Sequence, residues 1–392
     1  MPSIPVIESR DDLFELVGRI RDAGRFALDL EFLWERTYRP VACLAQVAVG
    51  DDVAIVDPIA GAPLDDLAAL VADPGIETVM HAPSADLTLL SMHYGTRPAN
   101  LVDVQLMAGF VGMGAGQSLG ALLERVLHVR LAKAESLSDW QRRPLTSGQL
   151  RYARDDVAHL LPLADELARR AAALTREAWI TEEHDRRYGP GATFTTVPEE
   201  AWRKVKGIGR LNPRERAILR ELAIWRETEA SSRDRPPGWL LQDRVLVDLA
   251  RRRPKDASAM AASRAAERLR PDQARALLAA VARGEAAPEV NGRPSPRQDL
   301  LERVEVLGAL GQLVVSTRAN AARLASQLLA TRGEIEAFLL GALAGEVDGP
   351  LASGWRREMA GDALLDLASN RVALAPTGRA PYLVEIAHDP ES

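Results

Sequence analysis

Short apolar runs of strand character alternate with helix-period segments through the first half of the chain, and beyond residue 198 strand signals nearly vanish. Phe26-Ala-Leu-Asp29, Leu44 to Val49 and Val53 to Val56 are the first such runs. The last two flank Gly50-Asp51-Asp52, a turn sequence that implies a β-hairpin or meander. Leu64 to Val71 has helical spacing, Thr78-Val-Met80 is strand-like again, and a helix is expected over Ser84 to His93. Leu101-Val102 follows as an apolar pair, with helices from Val104 onward. Strands alternating with helices build a layered α/β unit. Ser147 to Ala173 reads as one long helix that Pro162 bends or splits in two.

Tyr188-Gly-Pro-Gly-Ala-Thr-Phe-Thr-Thr-Val-Pro breaks the helical pattern and marks a first boundary. Residues 213–285 then give amphipathic helices punctuated by Arg235-Pro-Pro-Gly and Arg253-Pro-Lys. A second linker begins at Ala286, and residues 297–370 are helical again, like a degenerate repeat of the preceding region. From about Ala375 the chain carries Pro and Gly and is expected to be loosely ordered. The 392 residues allow two or three domains at about 100–200 residues each. The expected division is 1–195, 210–290 and 296–375.

The net charge of −6 argues weakly against a polyanionic partner until it is resolved along the chain. Residues 1–200 hold 19 Lys and Arg against 30 Asp and Glu, residues 201–290 hold 20 against 12, and residues 291–392 hold 10 against 13. An acidic first half beside a basic middle suits a polyanion-binding middle and a first half that holds either cations or nothing special; helical surfaces that simply differ in Arg content are the alternative. A single cysteine, Cys43, excludes an internal disulfide and a site with two thiolate ligands, and a buried inert thiol is expected there. No apolar run approaches the roughly 18 residues that span a bilayer, and the amino terminus has no charged stretch followed by an apolar core. A cytoplasmic, non-membrane protein is the expectation.

Asp29 and Glu31 close the strand Ala27-Leu-Asp-Leu-Glu-Phe, and a period of two points both carboxylates to one side. Adjacent like charges need a cation, and Mg²⁺ or Mn²⁺ suits oxygen ligands; a solvated strand end also carries such pairs. His81-Ala-Pro-Ser-Ala-Asp86 follows the next strand, where Asp86 falls in the first turns of a helix, a position the helix dipole favours by itself. In Tyr152-Ala-Arg-Asp-Asp156 the spacing of four puts the Tyr152 hydroxyl and the Asp156 carboxylate on one helix face, and Asp155 can share it.

In this order the elements resemble the RNase D family of DEDD-type 3′→5′ exonucleases, in the subgroup with Tyr four residues before its last Asp. The likeness extends to Arg36-Thr-Tyr-Arg-Pro, Val56-Asp-Pro, Asp103-Val-Gln-Leu-Met-Ala, Gln117-Ser-Leu-Gly and Ser138-Asp-Trp140-x-x-Arg-Pro-Leu. Farther on, three segments resemble an HRDC domain, a helical nucleic-acid-binding module. They are Pro213-Arg-Glu-Arg-Ala-Ile-Leu, Arg233-Asp-Arg-Pro-Pro-Gly-Trp and Leu249-Ala-Arg-Arg-Arg-Pro-Lys. Leu329-Ala-Thr-Arg and Gly354-Trp-Arg-Arg-Glu are similar to the second, more diverged helical domain of that family. The implied architecture is an α/β RNase H-like exonuclease domain followed by two all-α HRDC-type helical domains.

The resemblance implies metal-ligand roles for Asp29, Glu31, Asp86 and Asp156 and a water-orienting role for Tyr152, with Asp156 preferred to Asp155 because it matches the family spacing. Leu30 stands where the family more often has Thr, and its side chain points away from the two acids. The cofactors implied are two divalent metal ions, Mg²⁺ or Mn²⁺, about 4 Å apart. The activity implied is stepwise release of nucleoside 5′-monophosphates from RNA 3′ ends, with precursor tRNA as substrate and a monomeric protein. A DNA 3′→5′ exonuclease and a non-catalytic nucleic-acid-binding scaffold are the alternatives. Arg251, Arg252, Arg253 and Lys255 are the expected nucleic-acid contacts; a basic run that caps a helix C-terminus is the competing explanation. Asp103 is read as structural. The stretch from Gly112 to Gly120 misses the G-x-G-x-x-G spacing and no Walker lysine follows, so no nucleotide cofactor is expected and a loop is. Lys206-Gly-Ile-Gly resembles a helix-hairpin-helix glycine turn only in three residues.

Overall fold

A computed structural model describes residues 4–131, 138–261, 269–291, 298–378 and 383–387. Strands β1 (Val6–Ile7), β2 (Arg25–Leu33), β3 (Val41–Val49), β4 (Asp52–Val56), β5 (Glu77–Met80) and β6 (Leu101–Asp103) form one sheet in the order β1-β4-β3-β2-β5-β6. β2, β3 and β4 are an antiparallel meander around the turn that follows Val49, and the remaining pairings are parallel. β1 and helix α1 (Arg10–Ala23) were not among the expected elements. α1 nevertheless has ordinary signals: Ser9 accepts from the Asp12 N–H, Gly24 takes a left-handed φ of 69° to end it, and Leu13, Leu16, Val17 and Ile20 form its buried stripe.

Helices α2 (Asp65–Val71), α3 (Ser84–Tyr94), α4 (Val104–Phe110) and α5 (Leu119–Leu127) follow the strands as the periodicity implies. The expected long helix is two, α6 (Ser147–Val157) and α7 (Leu160–Ala173). Pro162 sits in the first turn of α7, where its missing N–H has no intrahelical acceptor to lose. α8 (Glu177–Tyr188) then leads to the glycine-rich linker.

The rest is helical up to residue 368, through α9 (Pro213–Arg233), α10 (Pro237–Leu240), α11 (Asp243–Arg252), α12 (Ala257–Ala261), α13 (Pro271–Ala286), α14 (Gln298–Ala321), α15 (Ser326–Leu329), α16 (Arg332–Ala344), α17 (Gly354–Arg356) and α18 (Asp362–Ala368). The segment from Ala375, expected to be loose, instead belongs to an antiparallel hairpin of β7 (Val372–Pro376) and β8 (Leu383–Ala387). Pro376 misdirects the reading because it ends its strand, a place where proline costs no ladder bond. Residues 379–382 and 388–392, and the linker residues 292–297, lie outside the described residues.

Two cores result. Ala201, Trp202, Leu219, Leu222, Leu246, Leu249 and Leu277 pack one, belonging to α9–α13 and the segment before them. The other joins the sheet unit to α14–α18: Phe110 and Leu163 are in the same cluster as Leu328, Leu339, Trp355 and Leu364. Trp355 stacks on Trp179 (5.4 Å between centroids) and meets Phe110 edge-on (5.2 Å). Arg356, 4% exposed, pairs at 2.7 Å with Glu183, 0% exposed, which also binds Arg186 and Arg187. The α9–α13 unit touches the sheet unit through residues 38–39: Tyr38 Oη donates to Glu227 (2.9 Å), and the Tyr38 and Arg39 N–H groups donate to Asp234 Oδ1 (3.0 Å each).

Candidate active site

The end of β2 carries Asp29 and Glu31 on one face. Glu31 is opposite Leu44 in β3, and a β-bulge follows at once, because Phe32 is opposite Ala42 and Cys43 is left as the extra residue. Bulges turn a strand and redirect the side chains beside them, so this one sets the direction of Glu31. The same face is covered by α6: Leu44, Ile55, Trp140 and Ala153 form a small core there, with Tyr152 packed against it. α6 starts on a capping box, in which Thr146 accepts from the Gln149 N–H and the Gln149 side chain accepts from the Thr146 N–H. The Trp140 and Tyr152 rings lie 5.8 Å apart.

Arg143 fixes this cover to the sheet. Its Nε and Nη2 donate to the two oxygens of Asp57 at 2.5 and 2.6 Å, its Nη1 donates to the Trp140 carbonyl, and its Nη2 donates to the carbonyl of the bulged Cys43 (2.9 Å). Asp57 is 1% exposed and also accepts from the N–H groups of Ile59 and Ala60. One guanidinium therefore ties the bulge beside Glu31 to the segment that launches Tyr152 and Asp156.

One carboxylate oxygen each of Asp29, Glu31 and Asp156 lies within 4.8 Å of the other two. Asp86 stands beside this triad and outside that mutual distance, buried at the start of α3, with its carboxylate facing the Leu30 N–H. The turn before it is held by Asp103, whose Oδ1 accepts from the N–H of Ala82, a residue at φ 53°. Asp103 also caps α4 through Gln105, accepts from Tyr188 Oη (2.8 Å), and is buried, so the structural reading of it holds. Asp155 pairs with Arg154 at 3.1 Å and is not in the triad.

The crowding is visible in the titration of the group. Burial, then the charges of Asp86, Asp156 and Glu31, hold Asp29 well above the usual carboxylate range. Burial with Asp156 and Asp86 pushes Glu31 up to about 8, and burial raises Asp86 and Asp156 to about 7 each. Burial, with the charges of Asp156, Glu31 and Asp29, pushes the Tyr152 phenol above its ordinary value. It is a proton donor at neutral pH. An all-oxygen set of crowded carboxylates fits a hard divalent cation, which would remove the repulsion that now raises their pKa values.

Of the expected nucleic-acid contacts, Arg252 pairs with Asp248 (2.7 Å), Arg253 reaches Glu215 at 4.0 Å, Arg251 donates to the Arg210 carbonyl (3.3 Å), and Lys255 is exposed. Unanticipated is a cleft of about 430 Å³ between the sheet unit and α9–α10, lined by Trp34, Thr88, Phe194, Lys204 and Pro236 among others. Trp34 is three residues past Glu31, is 42% exposed, and donates through Nε1 to the Tyr38 carbonyl. The signal available in the sequence was an aromatic residue next to the acid pair. Cys43 is buried, as expected, and burial pushes its thiol up to about 11.

Comparison with known proteins places this geometry. Residues 4–172 match the family described as 3′-5′ exonuclease, and residues 215–281 match the HRDC domain. Ribonuclease D of Acidiphilium cryptum (strain JF-5) is 33% identical over 98% of this chain and 99% of its own length. Ribonuclease D of Pseudomonas paraeruginosa (strain DSM 24068 / PA7) is 34% identical over 93% and 97%. The crystal structure of Escherichia coli RNase D, described as an exoribonuclease involved in structured RNA processing, superposes with a TM-score of 0.76 at 28% identity, covering 94% of this chain and 99% of that one. With full-length likeness in sequence and in fold, the chain belongs to the ribonuclease D family.

Proposed function

We propose that Asp29, Glu31, Asp86 and Asp156 hold a pair of divalent cations, Mg²⁺ or Mn²⁺, and that the chain hydrolyses RNA from its 3′ end, with precursor tRNA as its substrate. The observation that carries the reading is the oxygen triad of Asp29, Glu31 and Asp156 beneath α6, with Tyr152 on the same helix. When bound, such cations would supply the Lewis acidity for ionising the attacking water and stabilising the departing 3′ oxygen. The protein's part is placement. Asp29 and Glu31 come from a rigid strand end, Asp156 from a capped helix and Asp86 from a helix start held by Asp103. Tyr152, protonated at neutral pH and packed on Trp140, offers its hydroxyl as a fixed partner that orients the water toward the terminal phosphorus. Attack forms a new P–O bond, breaks the P–O3′ bond and releases a nucleoside 5′-monophosphate, with the water's proton ending on the 3′ oxygen.

Residues 201–290, with 20 basic against 12 acidic side chains, supply the phosphate contacts for the body of the RNA. The cleft that holds Trp34, Phe194 and Lys204 supports this reading, since aromatic faces and a cation suit an unpaired strand.

The test is incubation of the purified protein with 3′-labelled RNA and matched DNA in Mg²⁺, in Mn²⁺ and in excess EDTA. Stepwise release of 5′-monophosphates from RNA with either metal, and none with EDTA, is expected. Degradation in excess chelator, or of DNA alone, overturns the reading.

A further inference from the structure

Gln46 lies in β3 within the apolar run Leu44 to Val49, opposite Asp29 on one side and Ile55 on the other. Residues directly opposed in an antiparallel pair point to the same face of the sheet. The Gln46 amide and the Asp29 carboxyl therefore share the face beneath α6. Gln46 is 0% exposed, and neither its Oε1 nor its Nε2 has a hydrogen-bond partner among the described residues. Its same-face neighbours include Leu44 and Ile55, which are apolar.

A buried amide with both ends unpaired is costly, and a methionine or leucine of similar volume would fill the position without that cost. The polar company on this face is the acid cluster whose first member sits directly across the ladder. An uncharged amide can serve a carboxylate there in a way that a lysine or arginine cannot. It donates through Nε2 and adds no charge to compete with a divalent cation.

We propose that Gln46 is a positioning residue for the metal site: its Nε2, unpartnered among the described residues and directly across the ladder from Asp29, turns to donate to that carboxylate when it engages a cation and so holds it in one orientation. Partners of this kind behind a ligand set both its geometry and its affinity, and their loss costs about 10- to 100-fold in metal binding. The inference rests on reading Asp29 as a metal ligand.

The experiment titrates Mn²⁺ alone into wild type, Gln46→Met, Gln46→Leu and Asp29→Asn by isothermal calorimetry, with metal-free thermal denaturation of each. Expected are Mn²⁺ binding weakened about 10- to 100-fold in Gln46→Met, a metal-free Tm equal to or above wild type, and a lower kcat with unchanged KM for RNA. Wild-type Mn²⁺ affinity in both Gln46 variants while Asp29→Asn loses binding overturns the proposal and leaves the site reading intact. Unchanged affinity in Asp29→Asn as well removes the site reading and the proposal with it. If neither Gln46 variant folds without metal, the amide serves the fold and the proposal is likewise overturned.

Discussion

Without a cation, the carboxylates under α6 relieve their repulsion by taking up protons, so metal and protons are exchangeable stabilisers of the same few side chains. Free carboxylates titrate near 4, whereas Glu31 is raised to about 8 and Asp86 and Asp156 to about 7, with Asp29 raised in the same direction. Between those values the folded state binds more protons than the unfolded one, so this contribution to stability is complete below about pH 4 and is lost as pH rises through 7 to 8. Scanning calorimetry in EDTA should show the Tm falling across that window, and Mg²⁺ should restore it by an amount that grows with pH; a Mg²⁺ gain that is constant with pH contradicts the account. At the same scale, Tyr152→Phe keeps the ring on Trp140 and deletes only the hydroxyl. Its kcat should fall about 10²-fold with KM for RNA and Mn²⁺ affinity nearly unchanged. Asp156→Asn should cost more activity than Asp155→Asn, since Asp155 is spent on Arg154; steady-state kinetics on labelled RNA ranks them.

Elements convert these side chains into a site, and here the sequence was legible to different depths. The spacing Asp29-x-Glu31 on a strand and Tyr152-x-x-x-Asp156 on a helix fixes which carboxylates share a face, because periods of two and 3.6 are local properties of the backbone. That β2 and α6 meet depends on contacts between residues 86 and 100 apart, Arg143 with Asp57 and with the Cys43 carbonyl, and no local pattern encodes them. The bulge at Cys43 and the unpaired amide of Gln46 were hidden for a related reason. Both sit in a run whose apolar alternation announces only a buried strand. The late hairpin of β7 and β8 was missed because Pro376 outweighed the alternation of Val372 and Leu374. Arg143→Ala tests the clamp. It leaves Asp57 nearly fully buried without its cation and should cost about 3–5 kcal/mol in denaturant unfolding. Because the clamp aligns α6, the folded fraction should also lose kcat; full activity per folded molecule would limit Arg143 to stability.

Over the whole molecule, the basic middle region and the two cores divide the work. If residues 251–255 bind phosphate, replacing Arg251, Arg252, Arg253 and Lys255 together by Ala should flatten the log–log dependence of RNA affinity on salt by roughly 0.7 to 0.9 for each phosphate that is no longer neutralised. Arg252 and Arg253 already face Asp248 and Glu215, so the change should be smaller than four charges suggest; filter binding at several salt concentrations measures it. The cores make a second claim. Leu328, Leu339 and Trp355 belong to the cluster that holds the sheet unit together, whereas α9–α13 close around their own cluster and meet the sheet unit through polar contacts at Tyr38 and Arg39. Interfaces of that polar kind couple folding weakly, while a shared apolar core couples it strongly. Thermal unfolding should then show two transitions in which α14–α18 melt with the sheet. Arg356→Ala strips one of three arginines from the fully buried Glu183 and should lower the sheet transition alone. Leu222→Ala, in the other core, should lower the second alone, by about 2–5 kcal/mol. A single transition displaced by both variants would mean that the contacts at Tyr38 and Arg39 bind the two units into one cooperative body.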